Sequence, residues 1–249
     1  MKNLFYRSVA AVCLATAPIA QATAMTVQPV VLDLQTTGRD MSQVITVENT
    51  FATPLPVELQ VQQLVLTEDG VKLTGVDPGD LLVYPPQALI QPGQTQAFRV
   101  QYVGDPDLTE SRHYYITVAQ LPVKLPEGQS AIQILYNFQV LVSIGPKGGK
   151  PALAVVGSTI ASDGAGHSTP LVTVRNDSAN YGYLSQGKLR VVARDAGGKE
   201  VLRETLNGPE IQQRMGFGLI GGHQVRKVRL PVELPTSAGT VEVTFSTGE

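Results

Sequence analysis

Few residues in this 249-residue chain could do chemistry: it has three histidines, His113, His167 and His223, and a single cysteine, Cys13. A protein metal site needs ligands at short, regular spacing, and no two of these histidines are so placed. They read as three half-exposed surface imidazoles. Two pairs of carboxylates, Asp77 with Asp80 and Asp105 with Asp107, have the composition of an acid–base dyad. Both lie in short Gly- and Pro-containing stretches, where solvated turn chemistry accounts for them. The run "GPKGGK" at 145–150 is glycine-rich but lacks the Ser or Thr that completes a phosphate-cradling loop. No GxSxG nucleophile elbow occurs. The residues therefore call for no metal, nucleotide or other cofactor, and the chain reads as a binding protein rather than an enzyme.

The first 24 residues, "MKNLFYRSVAAVCLATAPIAQATA", join basic residues Lys2 and Arg7 to an apolar stretch and end in small residues at Ala22 and Ala24. That is the pattern of a secretory signal peptide cut after Ala24. The apolar stretch is shorter than the roughly 20 residues of a membrane span. Cutting there removes two positive charges, leaving 17 basic and 21 acidic residues. A net charge of −4 gives no footing for nucleic acid. The only thiol leaves with the signal, so the exported chain has no disulfide framework and must rest on its own cores.

The rest of the sequence must supply strands. "SQVITVENT", "LPVELQVQQLVL", "QAFRVQYVG" and "RHYYITVAQLPV" alternate apolar and polar residues or run in β-branched ones, with Gly, Pro, Asn and Asp between them. No window of 12 or more residues carries a helical period. The pattern is that of an all-β protein of sandwich type. The Gly, Pro and Lys cluster after Ile144 marks a hinge, dividing the chain into residues 25–146 and 147–249. A hairpin turn is expected at Asp195-Ala196-Gly197-Gly198. One stretch is unusual. In "AIQILYNFQVLVSI" every even position from Ile132 to Ile144 is apolar, which predicts a strand of roughly 40 Å, about twice the usual length. It is either a long core strand with a frayed tip or a strand that serves two cores.

The run "VYPPQALIQPGQTQAFRVQYVG", the stretch "ESRHYYITVAQLPV" and the position of "AIQILYNFQVLVSIGP" together resemble the first domain of the periplasmic pilus chaperones of the chaperone-usher pathway. The resemblance extends more loosely over the second half. It implies two tandem immunoglobulin-like sandwiches in an L-shaped, boomerang arrangement. It also implies donor-strand complementation, in which the chaperone lends its long strand to a pilus subunit lacking one and delivers it to an outer-membrane usher. By that resemblance Ile132, Ile134 and Tyr136 enter the subunit groove, and Phe138 marks the passage to Val140, Val142 and Ile144 in the chaperone's own core. "LPVKLPEGQS" becomes the mobile loop ahead of that strand. An exposed apolar edge of this kind also invites weak self-association.

Two departures from the family pattern concern charge. Better-known members hold the subunit's terminal carboxylate with an Arg on the first strand and a Lys in the long strand; here those places hold Gln28 and Leu141. With the ending "AQLPV", this is more similar to the archaic branch, whose subunits are of the spore-coat-protein-U type. Arg112, which shares the inward parity of Tyr114, Ile116 and Val118, becomes the first candidate anchor, with Lys124 and Lys147 behind it. The alternative for Arg112 is an internal ion pair with Glu110 or Asp107. Arg99 and Glu110 fall where the family has an interdomain ion-pair network. The rival reading is a structural two-domain pilin or adhesin, or another periplasmic binding module. A secreted β-sandwich hydrolase would need an acid pair or a histidine site that the residues do not supply.

Overall fold

The computed structural model describes residues 25–123, 134–162 and 166–248. The signal-peptide stretch, and with it Ala24, lies outside them, as do Lys124, Ile132 and most of the loop ahead of the long strand.

The alternating segments form two β-sandwiches. In the first, β1 (Met25–Gln28), β3 (Ser42–Asn49), β8 (Thr95–Tyr102) and β6 (Leu81–Tyr84) make a sheet in the order β1-β3-β8-β6. The facing sheet runs β2-β10-β9-β4-β5, formed by β2 (Val31–Gln35), β10 (Asn137–Gly145), β9 (Arg112–Gln120), β4 (Leu55–Thr67) and β5 (Gly70–Leu73). The short β7 (Gln87–Ile90) also pairs with β4. One chain thus feeds both sheets within a few residues, passing from β1 to β2 at Pro29. Proline suits that crossing because it has no N–H to leave unpaired. Period-two alternation puts one side of each strand inward. Ile45, Val47, Phe98, Val100, Tyr114, Ile116, Val118, Val140, Val142 and Ile144 are all fully buried between the sheets.

The second sandwich sets β11 (Leu153–Ser162), β12 (Ser168–Asn176) and β17 (Val225–Arg229) against β14 (Gly187–Arg194), β15 (Glu200–Leu206) and β18 (Thr240–Thr247). Its separate core is built on Val172, Val174, Leu189, Val191, Leu230 and Val243. Between β12 and β17 lie the short β13 (Gly182–Tyr183) and β16 (Leu219–Ile220), which pair with each other. The hairpin joining β14 to β15 turns at Asp195–Lys199, with Gly198 at φ 82°, as its residues predict.

Two features differ from the sequence reading. An eight-residue helix, α1 (Gly208–Met215), stands where no helical period shows. It is too short to establish a period. Its start is nevertheless written in the chain: Asn207 accepts from the Glu210 N–H while the Glu210 carboxylate accepts from the Asn207 N–H, and Pro209 follows. The second difference is the long strand: among the described residues it begins at Asn137, and Ile134, Leu135 and Tyr136 ahead of it are not in a strand. Its ladder partner β9 ends at Gln120, and the last rung is Gln120 N–H to Tyr136 C=O at 3.0 Å. Past that point no described strand is there to pair with.

Candidate functional site

The alternation of β10 and the residues entering it separates cleanly by exposure. Val140, Val142 and Ile144 are fully buried, and Phe138 is partly buried against the same core. Ile134 is 69 % and Tyr136 38 % exposed, with the Tyr136 ring 5.9 Å from Phe51. Large apolar side chains on one parity thus pass from core to solvent along a single segment.

The edge of β10 changes a few residues further on, at Leu141. From Leu141 to Gly145 it pairs in parallel with β2, beginning with Leu141 N–H to Val30 C=O at 3.0 Å. From Asn137 to Val140 it pairs on one side only, with β9. By the two-residue repeat, the N–H and C=O of Gln139 face the same side as Leu141 N–H, where no described strand lies. Open backbone groups flanked by exposed apolar side chains form a template for one more strand.

Arg112 begins β9 beside Ile144 of β10. Its Nη1 lies 3.0 Å from Asp80 Oδ2, and Tyr114 Oη donates to the same carboxylate oxygen. Burial works against the guanidinium charge, yet the Asp80 bond outweighs it and raises the Arg112 pKa. Burial, reinforced by Asp80, also raises that of Tyr114. The partner is neither Glu110 nor Asp107; Asp80 comes from a loop 32 residues away, which local spacing cannot reveal.

Nor does an ion-pair network form at Arg99 and Glu110. Arg99 lies exposed on the outer face of the first sheet, its Nε donating to Ser42 Oγ at 2.8 Å, and Glu110 is exposed. Among the described residues neither forms an ion pair. The seam between the sandwiches uses other groups. Lys227 Nζ stands 2.9 Å from Glu68 Oε1, and the Lys227 N–H donates to the Glu68 carbonyl. Tyr181 and Tyr183 each donate to Asp33 Oδ1 at 2.8 Å. Ser111 N–H donates to Ala179 C=O at 3.0 Å, and its Oγ accepts from Gly222 N–H at 2.9 Å.

His113 belongs to this seam, so it is not a surface imidazole. It is 4 % exposed; Nδ1 lies 3.0 Å from Ser143 Oγ, and its ring meets Tyr181 edge to face. Desolvation depresses its pKa to about 3. Burial is likewise the first cause holding the Tyr181 and Tyr183 hydroxyls protonated, with the Asp33 charge adding to it.

Where Gln28 and Leu141 replace family charges, the structure has two different environments. Gln28 is exposed at the end of β1. Leu141 joins Val31 and Leu66 against Tyr183, Phe217 and Leu219 of the second sandwich, an apolar contact across the seam. Beside it opens a cleft of about 360 Å³ between β2, β10 and the chain from Met215, the last residue of α1, to Leu219, with Arg226 of β17 on its wall. Glycines at φ 77° and 66°, Gly216 and Gly218, turn the chain around Phe217 at this wall. A Cβ on Gly218 would stand 2.8 Å from Leu184 Cβ. The sequence reading missed Asp33, Glu68, Tyr181, Tyr183, Arg226 and Lys227; the "NYGYL" aromatic pair was the one local signal, because aromatics in a turn seek a surface to cover.

Two immunoglobulin-like sandwiches packed across a seam, with a half-open strand edge beside it, make an all-β protein of the two-sandwich class. The chain belongs to the family described as pili and flagellar-assembly chaperone, PapD N-terminal domain, whose model matches residues 24–150. In fold it is similar to a chain of the CsuC–CsuE chaperone–tip adhesion subunit pre-assembly complex from the archaic chaperone-usher Csu pili of Acinetobacter baumannii. That match has 13 % identity and a TM-score of 0.53 over 90 % of this chain and 98 % of that one. It is also similar to the class 5 fimbriae chaperone CfaA, at 10 % identity and a TM-score of 0.51, over 88 % and 98 %. No curated protein matches the sequence.

Proposed function

We propose that this pilus-assembly chaperone works in the periplasm, holding incomplete immunoglobulin-like subunits on the open edge of β10 and passing them to an outer-membrane usher. The observation that carries this reading is the succession of two changes towards the start of β10: it pairs with β2 only from Leu141 onward, and within the next few residues apolar side chains of the same parity turn from buried at Val140 to exposed at Tyr136 and Ile134. A subunit strand added there gains backbone partners from Gln139 and its neighbours, and the subunit core gains Ile134 and Tyr136. Each such side chain contributes about 1.5–3 kcal/mol when fully buried, before ordering costs. Ile132, on the same parity, extends the donor segment, and Phe138 closes it against the chaperone's own core. Release follows from exchange for a better-fitting donor strand and needs no nucleotide or catalytic step. Export by the signal peptide, cut after Ala24, and a division at residues 146 and 147 complete the reading.

The test is co-purification of tagged protein with co-expressed pilus subunits, comparing the native sequence with the double variant Ile134→Asp, Tyr136→Asp. Both side chains are exposed in the free protein, so its melting temperature should barely move. Native protein should retain soluble subunit and the variant should lose it. Equal retention by both, or none by either, sinks the reading.

A further inference from the structure

Ahead of β10 the chain makes one aromatic contact outside the strand ladder. Tyr136 is the residue just before the strand, and Gln120 holds its backbone twice. Gln120 N–H donates to the Tyr136 carbonyl at 3.0 Å, and Tyr136 N–H donates to Gln120 Oε1 at 3.3 Å. The Tyr136 ring meets Phe51, with 5.9 Å between the ring centroids and 40° between their planes, within the range of a favourable aromatic pair. Two residues earlier Ile134 stands in solvent. Phe51 thus touches the segment at the point where it leaves the sandwich.

Phe51 belongs to neither sheet. It comes from the loop between β3 and β4, and a buried asparagine sets that loop. Asn49, fully buried at the end of β3, donates from Nδ2 to the Thr53 and Ile90 carbonyls, each at 2.9 Å, and accepts the Phe51 N–H on Oδ1 at 2.9 Å. With both donors and its oxygen engaged, the amide fixes the turn through the backbone alone. The second sandwich repeats the device. At the end of β12 the buried Asn176 donates from Nδ2 to the Asn180 and Gly221 carbonyls, and its Oδ1 accepts the Ser178 N–H. There the residue two places on is a serine. The turn therefore does not call for a ring, and the Phe51 ring serves what it touches: the first core, against which it is partly buried, and Tyr136.

Resting on the chaperone reading above, we infer that Phe51 is a positioning residue for the donor segment: by holding the Tyr136 ring it sets the direction in which Leu135 and Ile134 leave the sandwich before a subunit arrives. Order already present in the free protein need not be imposed on binding, which raises affinity. The part of Tyr136 that Phe51 leaves exposed remains for the subunit.

The variants are Phe51→Ser, which copies the turn of the second sandwich, and Phe51→Tyr, which keeps a ring. In the free protein, protection of the Gln120 amide against hydrogen exchange should fall about two- to tenfold in Phe51→Ser, the range of one aromatic pair, and recover in Phe51→Tyr. For binding, the probe is the subunit that the native protein retains in the co-purification. Native protein and a differently tagged variant are co-expressed with a limiting amount of it, and the share each retains is compared. Native protein should retain about two- to tenfold more than Phe51→Ser and nearly the same as Phe51→Tyr. With Tyr136→Ala in both competitors the disadvantage of Phe51→Ser should disappear, whereas a general loss of stability would persist in that background. An unchanged Gln120 exchange rate, equal shares for native and Phe51→Ser, or a disadvantage independent of Tyr136 overturns the inference and leaves the chaperone reading standing. Failure of native protein to hold any subunit brings down both.

Discussion

At the scale of single residues, His113 shows how a buried group makes the free protein sensitive to acid. In the unfolded chain an imidazole takes up a proton below about pH 6.5, whereas in the folded chain it stays neutral down to about pH 3. Its contribution to stability is therefore whole above pH 6.5 and drains as the pH falls from 6.5 to 3, by up to about 1.4 kcal/mol per unit. His113→Phe keeps a ring beside Tyr181 and removes the proton site. Urea unfolding of that variant at pH 7.5, 5.5 and 4.5 should show a shallower acid decline, by close to one proton taken up on unfolding at pH 4.5. An unchanged slope would mean that the imidazole is not held neutral. Asp80 carries a parallel lesson: by engaging both Arg112 and Tyr114 it spends the charge that inward parity in β9 presents.

At the scale of the element, β10 and its lead-in form one segment with two stabilities. Ile144 is fully buried between the first pair of sheets, and Ile134 stands in solvent ten residues earlier on the same parity. Ile144→Ala should cost about 3 kcal/mol in denaturant unfolding, while Ile134→Ala should cost less than about 0.5 kcal/mol. Similar costs at both sites would show that the lead-in packs within the free protein. The division follows from pairing, since β9 stops at Gln120 and a strand persists only where its backbone groups find partners. That is why alternation alone extends this strand to Ile132, whereas the ladder begins at Asn137.

At the scale of the whole molecule, the seam between the sandwiches is apolar in the middle and polar around it. Leu66, Tyr183 and Leu219 are buried there with Val31, Leu141, Tyr181 and Phe217 packed on them, flanked by Asp33 and by the Glu68–Lys227 pair. The flanking ion pair is exposed and contributes little. Burial makes the apolar contact the larger contribution to holding one domain against the other. Leu219→Asp, placed in that contact, should leave both sandwiches folded and loosen their mutual orientation. Small-angle scattering should then show a broader distance distribution with little change in circular dichroism. An unchanged distribution would mean that the polar contacts suffice.

The sequence by itself determined the all-β class, the family, the parity of β10 and its lead-in and the hairpin turn at Asp195-Ala196-Gly197-Gly198, because each rests on short-range alternation or on turn residues read a few positions apart. It also carried the capping pattern of α1, though not a period long enough to announce the helix. Only the tertiary structure decided which charges matter. Arg112 meets an aspartate 32 residues away, Glu68 meets a lysine of the other sandwich, and Arg226 faces an apolar cleft assembled from both. Strand alternation fixes on which side of its own sheet a residue lies, whereas its partner is set by how the sheets and domains come together, which no local period records.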